Sequence, residues 1–251
     1  MLKKLKKIFF YLNLIKKNNF FKYINYNDSK ERALNEKLFD KISLNKKKII
    51  SILKSQNYDY YDPKLSFHYA LFAGLSKNNE NLKILEIGTH LGNFTNFLSK
   101  MFPLSTIYTC DLEPGEEFFN KNFKNSKNLS KERFYDIRKK NLANANITFK
   151  SLNSFDLLNN FDQNSFDLIW LDGDHFNPQV TMDVISAYYL IKKGGLLFCD
   201  DICFDKSNRT DGFGPINYLT KISKIETTYF LKRITKNNLI FKKYVSCSKK
   251  K

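Results

Sequence analysis

The chain is poor in the residues that mark secreted, zinc-bound or fibrous proteins. Its 251 residues hold four cysteines, Cys110, Cys199, Cys203 and Cys247. None forms a CxxC pair, so neither a disulfide framework nor a zinc-ligand spacing is present. Cys110 and Cys199 fall inside apolar runs, where a free thiol behaves as a small hydrophobe. That usage points to a reducing, cytoplasmic setting. Nine glycines and five prolines leave no Pro/Gly-rich linker, and there is no internal repeat. No apolar run reaches the roughly 18–20 residues that span a bilayer. Two glycine signatures are also missing. Without GxGxxG, a nicotinamide-dependent oxidoreductase is disfavoured, and without GxxxxGK a P-loop nucleotidase is too.

What the chain has in quantity is lysine, and its distribution matters more than its total. The net charge of +17 comes from +10 over residues 1–50 and +9 over 221–251, while residues 51–220 sum to −2. The basic ends are either solvated lysine or an attraction to phosphates on nucleic acid or lipid. Near the start, Lys3, Lys4, Lys6 and Lys7 precede Ile8–Leu12, but Lys16 and Lys17 end the apolar run and no small-residue cleavage site follows. Leu5, Ile8, Phe9, Leu12 and Ile15 share one helical face. A basic amphipathic helix over about 3–17 is therefore expected, either on the inner face of a membrane or against its own domain.

Residues 1–80 read as a helical extension, with helices at roughly 3–17, 29–42, 46–55 and 65–77. This extension could cover an acceptor site or form a homo-oligomer interface. From 81 to 251 the pattern changes. Apolar runs at 83–87, 106–110, 147–149, 166–171 and 196–199 alternate with helical stretches at 93–101, 130–142, 155–160 and 178–191. Such alternation predicts a doubly wound α/β domain on a mostly parallel sheet. A helix near 214–223 and strands at 226–231 and 239–244 would follow, the last two pairing antiparallel at one sheet edge. The polar segment 114–129 reads as a surface loop. Tyr188 and Tyr189 fall on a crossover helix and read as packing residues, as does Trp170 in its strand. His68, within an apolar helix, reads as packed.

The first chemical signal is Glu86-Ile87-Gly88-Thr89-His90-Leu91-Gly92, which closes a strand and opens a helix. Gly88 permits a tight turn, and Gly92 permits close backbone approach to a ligand or the sheet. In an open parallel sheet, ligands bind beyond the carboxyl ends of the strands. The next strand ends at Asp111, 23 positions after Gly88. A carboxylate there can accept hydrogen bonds from both hydroxyls of a ribose, or it can cap the following turn. Glu113 is a second candidate.

The second signal is acidic. One strand ends Asp172-Gly173-Asp174-His175 and the next ends Asp200-Asp201. Parallel strands put both ends on one sheet edge, so Asp172, Asp200 and Asp201 are expected to converge. Close carboxylates repel, and a divalent cation resolves the conflict. Oxygen-only ligands favour Mg²⁺, Mn²⁺ or Ca²⁺ over zinc.

These motifs, over about residues 82–205, resemble the class I S-adenosylmethionine-dependent methyltransferases. The resemblance implies that Glu86, Gly88, Thr89, His90 and Gly92 lie against the methionine part of S-adenosylmethionine, that Asp111 holds the ribose, and that Asn153 and Ser154 lie near the adenine. The acidic ends are similar to those of metal-dependent O-methyltransferases of the catechol/caffeoyl-CoA and macrolide/sugar types. That similarity implies Asp172, Asp200 and Asp201 as ligands of Mg²⁺ (or Mn²⁺ or Ca²⁺). His175 stands where the sugar and macrolide branch carries a histidine. The chain departs from the pattern in ending its fifth strand Asp-Asp, where other members read Glu-Asp or Asp-Asn.

The chemistry implied is methylation of a hydroxyl. An alcohol is a poor nucleophile at neutral pH, and a bound divalent ion lowers its pKa. His175 would take the proton, with Asp172 beside it on the ion, while Asp174 would contact the cofactor or fix the tautomer of His175. The expected partner is a small-molecule or sugar acceptor. The basic ends keep an RNA methyltransferase as a rival, although Asp-Gly-Asp-His stands where base-amino methyltransferases carry (Asp/Asn)-Pro-Pro-(Tyr/Phe), so nucleic acid is not the expected partner. A non-catalytic protein on the same fold is the other rival.

Overall fold

The structure is a computed structural model of the whole chain, and it describes residues 33–62, 65–76, 81–112, 130–204, 211–237 and 239–251. The expected amphipathic helix at 3–17, the loop at 114–129 and Glu113 lie outside the described residues. The chain divides into two compact units, one of residues 1–74 and 230–244, the other of residues 75–229 and 245–251.

The larger unit carries the sheet. Its strands are β1 (Lys83–Ile87), β2 (Thr106–Asp111), β3 (Ile147–Ser151), β4 (Phe166–Leu171), β5 (Ile191–Ile202), β6 (Ile225–Asn237) and β7 (Leu239–Lys250), with β6 and β7 continuing into the smaller unit. The order across the sheet is β3-β2-β1-β4-β5-β7-β6. β1 pairs parallel with both β2 and β4, β2 with β3, and β4 with β5. The fold is a Rossmann-like, doubly wound α/β sheet, mostly parallel, with antiparallel strands at one edge. Those two edge strands run longer than their apolar runs suggest, because lysines and serines continue the ladders.

Strands buried on both faces need apolar side chains throughout. Ile84, Leu85, Ile169, Trp170, Leu197 and Phe198 are all almost wholly inaccessible. Trp170 packs on Phe94 with ring centroids 5.3 Å apart. Cys110 and Cys199 are buried thiols in the same layer, and burial raises both pKa values well above the ordinary range.

The helices of this unit, following the smaller unit's α1 (Lys46–Ser55) and α2 (Phe67–Leu75), are α3 (Asn93–Met101), α4 (Lys131–Asn141), α5 (Leu157–Asn160), α6 (Gln179–Leu190) and α7 (Phe213–Lys221). Ser130 caps α4 by accepting from Arg133 N. The chain runs outward from β1 to β3 and then returns to β4, so strand order reverses between β1 and β4. That reversal opens a crevice beyond their carboxyl ends.

In the smaller unit, α1 starts at the Asn45 cap, whose side chain accepts from Lys48 N. The stretch expected as a helix to residue 42 is broken here, with a 3-10 turn at Phe39–Ile42. His68 is buried, 2.9 Å from Ser66 Oγ through Nδ1, and stacks on Tyr69. Asn35 holds Leu231 through both backbone groups, at 2.8 Å each. Among the described residues, no helix is long and apolar enough to cross a membrane.

Candidate active site

A cavity of about 650 Å³ lies over the carboxyl ends of β1, β2 and β4. Its volume is in the range of small-molecule and cofactor sites. The expected residues Gly88, His90, Asp111, Asn153, Ser154, Asp172, Asp174 and His175 all line it. Glu86, Thr89, Gly92, Asp200 and Asp201 are not in its described wall.

The wall begins at Gly88, which turns at φ +102°. A Cβ there would lie 2.2 Å from the carbonyl oxygen of Asp172. Only glycine lets β1 and β4 close so tightly, and this approach sets the floor of the crevice. Its N–H donates to Cys110 O at 2.9 Å, tying the turn to β2 as well.

His90 takes a left-handed conformation at φ +48°. Its backbone is held from both sides: its N–H donates to Asp111 Oδ2 at 2.7 Å, and its carbonyl accepts from Arg138 Nε at 2.5 Å. Arg138 Nη2 also donates to Asp111 Oδ2 at 3.0 Å. The other carboxylate oxygen, Oδ1, accepts from Leu112 N at 2.8 Å. Arg138 is buried, its guanidinium 4.8 Å from the centroid of Phe134 and 5.5 Å from that of Phe149. Burial lowers its pKa, with Asp111 acting against the shift. This corner is a charge pair with bidentate backbone bonds, and it fixes the loop and the carboxylate together.

Glu86 lies beneath the loop. Its Oε2 accepts from Thr95 Oγ1 at 2.5 Å and from Thr109 Oγ1 at 2.6 Å, and Thr109 is in turn 2.6 Å from Thr89 Oγ1. Burial pushes its pKa to about 8 despite those hydroxyls. Glu86 and Thr89 thus shape the loop from inside, with no described edge on the cavity. Gly92, at φ +72°, faces Asn141 and Leu142 of the α4 end and opens α3.

Beyond β3, Asn153 Oδ1 accepts from Phe155 N at 3.1 Å. Ser154 Oγ accepts from Gln179 Nε2 at 2.5 Å, and the same amide donates to Asp183 Oδ1 at 2.9 Å. Gln179 and Asp183 belong to α6, so this relay ties the loop after β3 to the first turn of that helix. Burial raises the pKa of Asp183, against the bonds from Ser154 and Gln179.

The register Leu171↔Cys199 puts Asp172 beside Asp200. Ligand atoms of Asp172, His175 and Asp200 lie within 4.8 Å of one another. Asp201 does not join them. Successive strand residues point to opposite faces, and Asp201 takes a left-handed φ of +53°. Its Oδ2 lies 4.0 Å from His175 Nε2, which is 3.4 Å from Asp172 Oδ1. Burial alone would lower the pKa of His175. The hydrogen bond and charge of Asp172, followed by Asp201 and Asp200, outweigh it and hold the pKa above its ordinary value. Asp174 serves its own loop, its Oδ1 accepting from Phe176 N at 2.9 Å. The imidazole is thus oriented by Asp172 and not by Asp174.

Asp211 completes this acidic side. It is buried and accepts from Cys203 N at 2.5 Å and Phe213 N at 2.9 Å. Burial raises its pKa, against those two bonds.

Arg138, Gln179, Asp183 and Asp211 are the residues that the sequence did not announce. Arg138 is one of seven charged side chains in α4 and looks like a solvated residue. A signal existed for Asp183, the single charge in an otherwise uncharged helix.

Residues 85–202 match the family model of a methyltransferase domain. No curated protein gives a significant sequence match. Among solved structures, the chain is similar to the O-methyltransferase of Bacillus cereus in complex with SAH, at 16% identity, covering 89% of this chain and 100% of that one, with a TM-score of 0.49. It is also similar to the O-methyltransferase TomG of Streptomyces achromogenes, involved in tomaymycin synthesis and solved with SAM, at 13% identity, 90% and 99% coverage, and a TM-score of 0.49.

Proposed function

We propose that this chain, which carries the Rossmann-like fold of class I S-adenosylmethionine-dependent methyltransferases, transfers a methyl group to a hydroxyl of a small molecule or sugar with the help of a divalent ion. The observation that carries the proposal is the meeting of Asp172, His175 and Asp200 next to the glycine loop. Bound S-adenosylmethionine would supply an electrophilic methyl group on a sulfonium. Its methionine part would meet Gly88 and His90, its ribose Asp111, and its adenine the Asn153 and Ser154 loop.

The donor set fits a divalent cation. Two carboxylates and an imidazole gather within 4.8 Å of one another, with Asp201 and Asp211 close by, and such a group of acids suits a cation. Asp172 and Asp200 would hold the ion, which would act as a Lewis acid on the acceptor oxygen. The carboxylate oxygens suit Mg²⁺, Mn²⁺ or Ca²⁺. His175 would accept the hydroxyl proton, and Asp201 would face the imidazolium that results. Alignment within the cavity contributes the rest.

The grouping of Asp172, His175 and Asp200 also favours a second reading, in which His175 is the third ligand. Mn²⁺ titration of His175→Ala separates the two. Unchanged affinity leaves His175 as the base, and weakened affinity makes it a ligand.

The function itself is tested with methyl-labelled S-adenosylmethionine and a panel of sugars and phenols, with and without chelator. Transfer that stops with chelator and returns with Mg²⁺ or Mn²⁺ supports the proposal. Equal transfer with chelator would remove the ion from it.

A further inference from the structure

Two helices of the larger unit are built from opposite materials. In α4, seven of eleven residues are charged. In α6, the one charge among twelve residues is Asp183, and it is buried. Yet α6 is not covered. Met182, Ile185 and Tyr189 are 42%, 39% and 46% exposed. Their spacing of three and four residues puts them on one face. Tyr189 was expected to pack, but it turns outward here, while Tyr188 lies under the Lys250 ammonium at 4.6 Å.

The apolar face continues onto the neighbours. α7 packs beside α6 and exposes Tyr218 and Ile222, four residues apart. On the other flank α5, also in contact with α6, exposes Leu158. Helices packed on one side of a sheet turn their outer faces the same way, so these six side chains form one surface.

We propose that this surface of α5, α6 and α7 is where two copies of the chain associate. Three arguments favour a second copy as the occupant. The stripe on α6 is uncharged, so it can meet its own image across a two-fold axis without conflict. The chain carries a net charge of +17, most of it at its two ends, so the uncharged stripe of α6 is a face across which two copies do not repel. The six side chains present on the order of 500 Å² per copy, the greater part of the ~800 Å² per partner of a standard interface. Met and Tyr are also the residues enriched at interface cores.

Sedimentation equilibrium of the full chain tests this. The wild type is expected at twice the chain mass at micromolar concentration. Ile185→Asp and Met182→Glu, each placing a charge on an already exposed position, are expected at the single mass with unchanged circular dichroism and melting temperature. Leu104→Asp, exposed and outside the three helices, is the control and should stay double. A single-mass wild type overturns the proposal. So does a double mass that survives both α6 variants. A single-mass wild type that co-sediments with phosphatidylglycerol vesicles, and loses that with Ile185→Asp, would give the face to lipid instead.

Discussion

Two corners of the site hold carboxylates in different electrostatic states. At the end of β2, Asp111 is matched: Arg138, His90 N and Leu112 N all donate to it. At the ends of β4 and β5, Asp172, Asp200 and Asp201 gather around His175. The first corner is complete as the chain folds, and its hydrogen bonds serve to orient. The second clusters carboxylates, whose charge raises the pKa of His175 against its burial. A preorganised corner is suited to binding a ligand in one pose, and an acidic one to taking up an ion and moving a proton.

The largest effect that would break this contrast concerns Asp172. Asp172→Ala should weaken Mn²⁺ binding by about two orders of magnitude, the scale of losing one charged partner in a partly buried cluster. Affinity for S-adenosylmethionine should stay within about twofold. Calorimetry reads both. If the two affinities fall together, the corners are not independent.

Arg138→Leu should do the reverse. It removes the charged partner of Asp111 and the restraint on His90 O, so cofactor affinity should fall by about tenfold or more, with Mn²⁺ affinity unchanged. Arg138→Lys should recover only part of this, since one ammonium cannot reach both acceptors as a planar fork does. Asp111→Ala should weaken the cofactor too, and it also takes from the buried Arg138 its carboxylate partner.

A smaller effect lies in the titration of His175. In chelator-treated protein its NMR-detected pKa should lie above the ordinary 6.5, and Asp172→Asn should lower it by removing the largest raising cause. Mg²⁺ should lower it as well, by displacing the proton. A pKa at or below 6.5 in the ion-free protein would remove the charge of the clustered carboxylates from the account.

The smallest effect lies under the loop. The pKa of Glu86, about 8 in the folded chain against an ordinary 4.5, means that the native state keeps a proton the unfolded chain releases between those values. Stability should therefore fall as pH rises through that window, and level off above about 8. Glu86→Gln keeps an acceptor for the threonines and should flatten this decline, measured by urea unfolding at several pH values.

The sequence made the sheet and the strand ends readable, because parallel strands buried on both faces leave continuous apolar runs and the acids fall directly after them. Gly88 and Asp111 were legible for the same reason. The division of labour inside the loop was not. Glu86 and Gly88 are two residues apart, yet one supports the loop from inside the core and the other forms the wall. Nor could the sequence separate Asp200 from Asp201, since that depends on a local φ reversal. Arg138 was hidden by the charges around it, and its contacts with His90 and Asp111 span 48 and 27 positions.

The measurement that tests the central claim most directly is calorimetric titration of the full chain with S-adenosylmethionine, with and without Mg²⁺. The account predicts micromolar binding that Asp111→Ala weakens and that persists without the ion, together with a separate Mg²⁺ binding event that Asp172→Ala removes. Absence of binding at millimolar cofactor would contradict it and leave a Rossmann-like fold with a different occupant in its cavity.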